Sequence, residues 1–561
     1  MILASFGSIL LSILAFLFVL GTIILLHEAG HFFFAVKGGI LCREYAFGMG
    51  PLLFKKKKGE TQYSIRAFPI GGFCAIAGET VEDDPLKGKD KLRLLIENGK
   101  VTKICFEVDL DIFSDMPLYD IIEYDLLDKE NTGNLYIKVK TTDGEDTLAV
   151  ANDAHYVFSK VGYKKSTKDV NEKRKKYIDS IQIAPFNRQL NSKSIGRRAM
   201  VMFGGPLMNM LLAILAFFLA FTISGVSNTS TTSLYIVDES TPAYVSGLRE
   251  NDIIRGLEYS DIDGNLHQNL EMKDWNDISS FMTDYKNDEK ALYAIKIYYT
   301  HANDDTLLNT IVLPQVFIYS ISMYEDINSD DVKIAPLNTS SKAYKAGLRE
   351  GDIINSINDV AVNNWLDVYR AFKKAENGEE VKVNITREED GVNKVYDYTV
   401  KPYSKRLFEK TQEVSYVDLQ VGISPAITHN VFKVLGRTFE KMATSIADLV
   451  NTLGMLIFSK EVGLRDLTGV VGIFKLTSTA ASNGFASVLY LLGFLSVNIG
   501  FVNLLPIPAL DGGRLLFLLI ELIRRKPVSE KVQTRAITIT MILLYALMIY
   551  VLVNDVLRIF G

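Results

Sequence analysis

Cysteine is scarce in this chain of 561 residues: only Cys42, Cys74 and Cys105 occur, with no C-x-x-C spacing among them. That excludes a disulfide scaffold and a thiolate zinc ribbon. An excess of either charge is also missing, with 61 Lys and Arg against 66 Asp and Glu and a net charge of -5. Nucleic-acid binding through bulk basic charge is therefore excluded. Histidine is limited to six residues and tryptophan to two, so the places where they fall carry information. The length allows three or four domains of roughly 100–200 residues each. Hydrophobic residues make up 48% and charged residues 23%, as in a water-soluble protein, yet mean hydropathy is +0.14. The apolar residues are bunched.

Crossing about 30 Å of hydrocarbon takes around 20 apolar residues in a helix. Four stretches meet this: Ser5 to Leu26, continued past a polar interruption by Phe32–Val36; Ala199 to Ser224; Phe485 to Leu505; and Ile537 to Val553. The first reads as a membrane helix and not a cleaved signal peptide, because it lacks a basic start, runs long and precedes no small-residue cleavage site. Lys and Arg near the helix ends set the orientation. None occurs before Lys37, whereas the segment after the first stretch carries Lys55–Lys58, Lys173–Lys176 and Arg197-Arg198. The connection between the third and fourth carries Arg524-Arg525-Lys526, Lys531 and Arg535. Both segments are expected on the cytoplasmic side, and both termini and residues from about 225 to 430 outside.

The outer segment contains a repeat. Gly247-Leu248-Arg249-Glu250-Asn251-Asp252-Ile253-Ile254 returns as Gly347-Leu348-Arg349-Glu350-Gly351-Asp352-Ile353-Ile354, preceded each time by Ala-Tyr (Ala243-Tyr244, Ala343-Tyr344). Trp275 and Trp365 follow the two copies. The pattern A-x-x-x-G-L-R-x-x-D-x-I resembles the PDZ domains of bacterial envelope proteases, whose grooves take an extended peptide as an added strand. Beyond the second copy, Phe432, Leu435, Phe439, Met442, Ile446, Leu449 and Leu453 recur at helical spacing. They predict an amphipathic helix that packs on the repeated modules or lies in the membrane interface.

The first apolar stretch carries His27-Glu28-Ala29-Gly30-His31. Polar and ionisable side chains in a membrane segment are costly, so function is the default reading. On a helix, i and i+4 share a face, and two imidazoles so placed can hold one metal ion. Glu28 is then placed to take a proton from a water at that metal. A catalytic zinc wants a third protein ligand. His155, His267, His301 and His429 all fall outside the apolar stretches, so a carboxylate from another helix is expected. Asp511 stands out, after Pro506 and Pro508 and before the apolar run Leu515–Ile520.

Together these motifs resemble the site-2 proteases, intramembrane zinc metalloproteases, and specifically their bacterial regulator-of-sigma-E protease branch. H-E-x-x-H matches His27–His31, and N-x-x-P-x-P-x-L-D-G matches Asn503–Gly512. Phe203-Gly204-Gly205-Pro206-Leu207-Met208-Asn209 matches a G-P-x-x-N signature, and Pro69-Ile70-Gly71-Gly72-Phe73 a membrane-reentrant β-loop. Thr468-Gly469-Val470-Val471-Gly472-Ile473 is similar to x-G-P-I-G-I, with valine in place of proline, which puts the local geometry there in question. The likeness spans the chain apart from about 80–185. It implies Zn2+ bound by His27, His31 and Asp511, with Glu28 as general base and Asn503 holding substrate backbone. A substrate helix must be unwound to be cut, and its freed backbone needs polar partners; Asn503 and the Gly71-Gly72 backbone are the expected suppliers.

The expected fold is a multi-pass α-helical membrane protein: about four transmembrane helices plus a reentrant β-loop, two extracytoplasmic β-rich PDZ domains and a cytoplasmic β-rich insert. The divisions are 1–79 (helix one and β-loop), 80–185 (insert, with turns at Asn98-Gly99 and Asp143-Gly144), 186–225 (helix two), 226–320 and 321–405 (PDZ domains), 406–483 (amphipathic helix and linker) and 484–561 (helices three and four). The implied partners are single-pass membrane substrates, the lipid bilayer and extended peptides at the PDZ grooves, in the cell membrane. Anti-sigma factors, division proteins, remnant signal peptides and pheromone precursors are the substrate classes that the resemblance offers. An inactive PDZ scaffold and a metal transporter compete with the enzyme, but the motif is intact and no inverted repeat of helices appears.

Overall fold

A computed structural model describes residues 2–79, 86–128, 134–141, 144–159, 178–236, 238–405, 415–458, 463–464, 467 and 469–560. Lys173–Lys176, Asp143 and Thr468 lie outside the described residues. The longer helices are α1 (Ile2–Lys37), α2 (Ile195–Ser224), α3 (Trp275–Asn287), α4 (Trp365–Lys374), α5 (Val431–Phe458), α6 (Val470–Ser482), α7 (Phe485–Asn503), α8 (Asp511–Arg524) and α9 (Glu530–Phe560). Four spans are long and apolar enough to cross a membrane: Gly7–Lys37, Ile195–Ser224, Phe485–Asn503 and Glu530–Leu557. Each overlaps one of the four expected stretches. The chain is thus a multi-pass membrane protein with β-rich parts, in two compact units, Met1–Phe217 with Leu467–Gly561 and Phe218–Asp466.

In the first unit, α1 leads into paired strands β1 (Cys42–Lys58) and β2 (Thr61–Ile76). These fold back, so that residues 44–47 face 62–65 on one side and 72–75 on the other. The reversal uses Gly48 and Gly50 at φ 84 and 83, a region strained for residues with a side chain. Strands β3 (Lys91–Glu97), β4 (Lys100–Cys105), β5 (Leu118–Asp125), β6 (Tyr136–Thr141), β7 (Gly144–Ser159) and β8 (Ile178–Gln182) form one sheet in the order β4-β3-β5-β6-β7-β8. A parallel pairing of β4 with β7 closes the sheet on itself, around fully buried Leu92, Leu94, Val101, Ile137 and Val139. Asn98 and Gly99, both at positive φ, make the β3–β4 turn, as a tight hairpin requires.

The short helix α6 packs along α1 through Ser12 Oγ to Ser478 Oγ (2.8 Å) and an edge contact of Phe16 with Phe474. Its N-cap is Gly469, and Asp555 of α9 accepts from the backbone N–H of Gly469 (3.0 Å) and Gly472 (3.2 Å). Val470 is therefore the first helical residue, where the N–H that proline lacks is not needed within the helix. Valine in that place leaves the helix start intact.

The sequence repeat of the second unit is a repeat of structure. One four-stranded sheet runs Leu266–Asn269, Ile253–Ser260, Ile295–His301, Asp304–Val312; the other runs Val360–Ala361, Ile353–Ile357, Val381–Glu389, Val392–Val400 in the same order. The shared motif builds a turn. Leu248 and Leu348 are fully buried, and Arg249 and Arg349 bond the carbonyls of Tyr244 and Tyr344 while lying over their rings. Asp252 and Asp352 accept from the N–H of those arginines. Residues 418–428, expected in a linker, are short strands instead: Asp418–Gln420 pairs with Gln315–Ile318, Ile423–Pro425 with Leu234–Ile236 and Ile427–Thr428 with Val226–Ser227. The expected amphipathic helix is α5, which leaves Phe432 and Phe458 exposed.

Candidate metal centre

His27 and His31 sit one turn apart on α1, so both rings project to the same side. Asp511 arrives from the break between α7 and α8. Pro506 and Pro508 cannot continue a helix, and the intervening chain is held by turns such as Leu510 N–H to the Ile507 carbonyl (2.9 Å). Gly512 and Gly513 let this loop fold against the start of α8. A Cβ at Gly512 would lie 2.2 Å from the Leu504 carbonyl oxygen, and one at Gly513 2.2 Å from that of Ile507.

Three ligand atoms converge. His27 Nε2 and His31 Nε2 are 3.2 Å apart, and Asp511 Oδ2 lies 3.3 Å from the first and 3.4 Å from the second. Asp511 Oδ2 is buried with no hydrogen-bond partner among the described residues. A tetrahedral ion with bonds of about 2.0–2.1 Å puts its ligand atoms about 3.3 Å apart. The triangle therefore has the dimensions of one face of a zinc tetrahedron, and two imidazoles with one carboxylate suit zinc better than magnesium or calcium.

The surrounding groups orient these side chains. His31 Nδ1 lies 2.8 Å from the Val201 carbonyl, which can only accept, so the proton sits on Nδ1 and Nε2 offers its lone pair. The amide of Asn209, itself fully buried, faces His27 Nδ1 at 3.2 Å. With a metal on Nε2, His27 carries its proton on Nδ1, and the amide turns its oxygen to that proton. That rotamer also gives Asn209 Oδ1 the partner it otherwise lacks. Val201 and Asn209 both belong to α2, which α1 meets through glycine: a Cβ at Gly30 would lie 2.1 Å from the Gly204 carbonyl oxygen. Arg198 of α2 and Glu521 of α8 form a two-pronged ion pair (3.1 and 2.5 Å) that ties these helices together.

Glu28 is partly buried beside the triangle. The β1–β2 hairpin runs along α1 at its level, with Tyr45 Oη donating to the Leu25 carbonyl (2.6 Å). A Cβ at Gly72 would lie 2.9 Å from Ile24 Cγ2 and 3.3 Å from Glu28 Cγ, so only glycine lets the strand come this close. Gly71 takes a positive φ of 87. Asn503 is the last residue of α7, and its amide has no hydrogen-bond partner among the described residues. The geometry thus brings together His27, His31 and Asp511, with Glu28 adjacent and Gly72 against it, and sets Asn503 at the break that delivers Asp511. The sequence signature around Gly205 and Asn209 carried no assigned role; its part in backing the imidazoles emerges only in three dimensions.

Membrane-length helices and an H-E-x-x-H helix define the class as a membrane zinc metalloprotease. The profile of peptidase family M50 matches residues 15–547. The chain belongs to that family, the site-2 proteases. It is similar to the zinc metalloprotease RasP of Bacillus licheniformis, 27% identical over 555 residues, which is 98% of this chain and 99% of that protein. The regulator of sigma-W protease RasP of Bacillus subtilis is 27% identical over 559 residues, covering 98% and 99%. The zinc metalloprotease RasP of Shouchella clausii is 29% identical over 552 residues, covering 98% and 100%.

Proposed function

We propose that His27, His31 and Asp511 hold the catalytic zinc, that Glu28 is the general base, and that the chain hydrolyses peptide bonds within transmembrane segments of single-pass membrane proteins. The observation that carries this reading is the near-equilateral triangle of His27 Nε2, His31 Nε2 and Asp511 Oδ2. Zinc held there supplies Lewis acidity toward the scissile carbonyl and makes water a competent nucleophile at neutral pH. Glu28 takes the proton from the attacking water and returns it to the departing amide nitrogen. The substrate's unwound backbone meets the unpartnered amide of Asn503 and the close-lying Gly71-Gly72 strand, which replace the hydrogen bonds its own helix gave up.

The sigma-W protease among the similar proteins supports an anti-sigma factor as substrate, with remnant signal peptides and pheromone precursors as the further classes. The two repeat copies are extracytoplasmic PDZ domains that screen substrates by bulk, and the closed sheet of residues 91–182 is cytoplasmic; the distribution of Lys and Arg supports both placements. Reconstituted Glu28→Gln protein tests the core of this reading. It should keep one zinc per chain and lose cleavage of a transmembrane substrate by about 10²–10⁴, whereas His27→Ala loses zinc and cleavage together. A Glu28→Gln protein that cuts at the parent rate removes Glu28 from the mechanism.

A further inference from the structure

The hairpin that lies along α1 ends in a composition its fold does not use. In β1, Leu52, Leu53 and Phe54 are 41%, 68% and 59% exposed, and Lys55, Lys56, Lys57 and Lys58 follow at once, all exposed. A strand advances about 3.3 Å per residue, so the charges begin within one residue of the apolar tip. An imidazole and a fifth lysine lie nearby. Lys57 Nζ lies 3.3 Å from His155 Nε2, and in the closed sheet His155 lies opposite Lys103, also exposed.

None of Lys55 to Lys58 is in an ion pair among the described residues. Glu60, the acid at the hairpin turn, is taken by Arg188 through two bonds of 2.7 and 2.6 Å and by Gln182 at 3.0 Å. Burial and the neighbouring Lys57 and Lys103 hold the His155 imidazole below its ordinary pKa against the opposing pull of Asp153, so it adds a polar lining without requiring a counter-charge. Like charges held together repel unless an anion joins them. An apolar tip beside a lysine row fits one partner in particular: acyl chains for the tip and acidic headgroups for the amines.

We infer that Lys55, Lys56, Lys57 and Lys58, with Lys103 and His155 of the closed sheet, form a binding face for the headgroups of anionic phospholipids. The same hairpin carries Gly72 against Glu28, so lipid held at one end steadies the strand at the other. The insert thereby gains a role, as one wall of the headgroup site.

The test is lipid retention by the detergent-purified full-length protein after equilibration with mixed micelles of phosphatidylcholine and phosphatidylglycerol in equal amounts, read by mass spectrometry. The parent protein should retain phosphatidylglycerol in preference to phosphatidylcholine. Replacing Lys55, Lys56, Lys57 and Lys58 together by Gln should cut phosphatidylglycerol retention on the order of tenfold or more, since a lysine near an acidic surface contributes up to roughly fivefold, and leave phosphatidylcholine unchanged. A control with Lys273, Lys345, Lys394 and Lys401 replaced by Gln should match the parent. Retained phosphatidylglycerol in the hairpin variant, or an equal loss in the control, overturns the proposal. No substrate enters this measurement, so its outcome is independent of the proteolytic reading.

Discussion

Gly205 stands directly behind the imidazole of His31: a Cβ there would lie 2.4 Å from Nε2, and 2.7 Å from Cε1 of His27. No side chain fits between α2 and the two imidazoles. Gly205→Ala should therefore push at least one imidazole out of the triangle, with α1 and α2 still spanning the membrane. The expected result is a loss of zinc affinity of about 10–100-fold, the range found when groups orienting a ligand are disturbed, with cleavage falling alongside. Zinc content per chain during titration with a competing chelator measures it. Full zinc at the parent affinity would show that the ring moves aside at no cost.

Asn209 acts on the other side of the same site. Its backbone carbonyl accepts from Ser496 Oγ at 2.7 Å, which ties that turn of α2 to α7, while its side-chain amide faces His27 Nδ1 at 3.2 Å. Asn209→Ala removes the acceptor that keeps the His27 proton on Nδ1, and zinc affinity or activity should fall about 10–100-fold. Asn209→Asp, which keeps an oxygen in the same place, should retain much of both. Equal losses in the two variants would point to packing instead of hydrogen bonding.

What could be read from the sequence was what lies close along the chain or repeats. His27, Glu28 and His31 are separated by a single helical turn, and four apolar runs declare their length without help from tertiary structure. Asp511 was reachable by exclusion of the other histidines and by the Asn503–Gly512 motif that contains it. The roles of Asn209 and Val201 were not, because they depend on two glycines, Gly30 and Gly204, bringing separate helices to backbone contact. Closure of the β3–β8 sheet rests on a parallel pairing between β4 and β7, which leaves no local pattern. Strands of two or three residues at 418–428 are too short to show a period at all.

The repeat copies give the same buried aspartate different partners. Asp352 is fully buried and held by Arg387 through Nε and Nη2 (2.7 and 2.8 Å). In the other copy Asp252 meets His301 Nδ1 at 2.7 Å, and that imidazole is 46% exposed. Removing one partner of a buried ion pair strands a charge and costs about 3–5 kcal/mol. Loss of a single partly exposed hydrogen bond costs about 1 kcal/mol. Arg387→Ala should therefore loosen its copy much more than His301→Ala loosens the other, as read by amide hydrogen exchange across Val381–Glu389 and Ile295–His301. Similar effects in both would mean that Asp352 gains little from its guanidinium.

Glu325 supplies a pH dependence in the second unit. It accepts from the Val316 N–H (2.8 Å) and from Tyr293 Oη (2.7 Å), which also reaches the Pro314 carbonyl oxygen at 2.5 Å. The tyrosine has one proton for two acceptors, Glu325 Oε2 and the Pro314 carbonyl oxygen, so its bond to the carboxylate offsets burial only in part. Burial, set against the bonds from Tyr293 and Val316, raises the carboxyl from its usual 4.5 to about 7. Between these values the folded state binds a proton that the unfolded state has lost, so stability falls as pH rises from about 4.5 to 7 and levels off above. Hydrogen exchange at residues 315–334 should thus be faster, after correction for intrinsic rates, at pH 8 than at pH 5. Glu325→Gln, neutral at both values, should flatten the difference and exchange more slowly than the parent protein at pH 8. A parent protein with equal protection at the two pH values would mean that Glu325 is already ionised at pH 5 and that its burial is compensated by the Val316 and Tyr293 bonds.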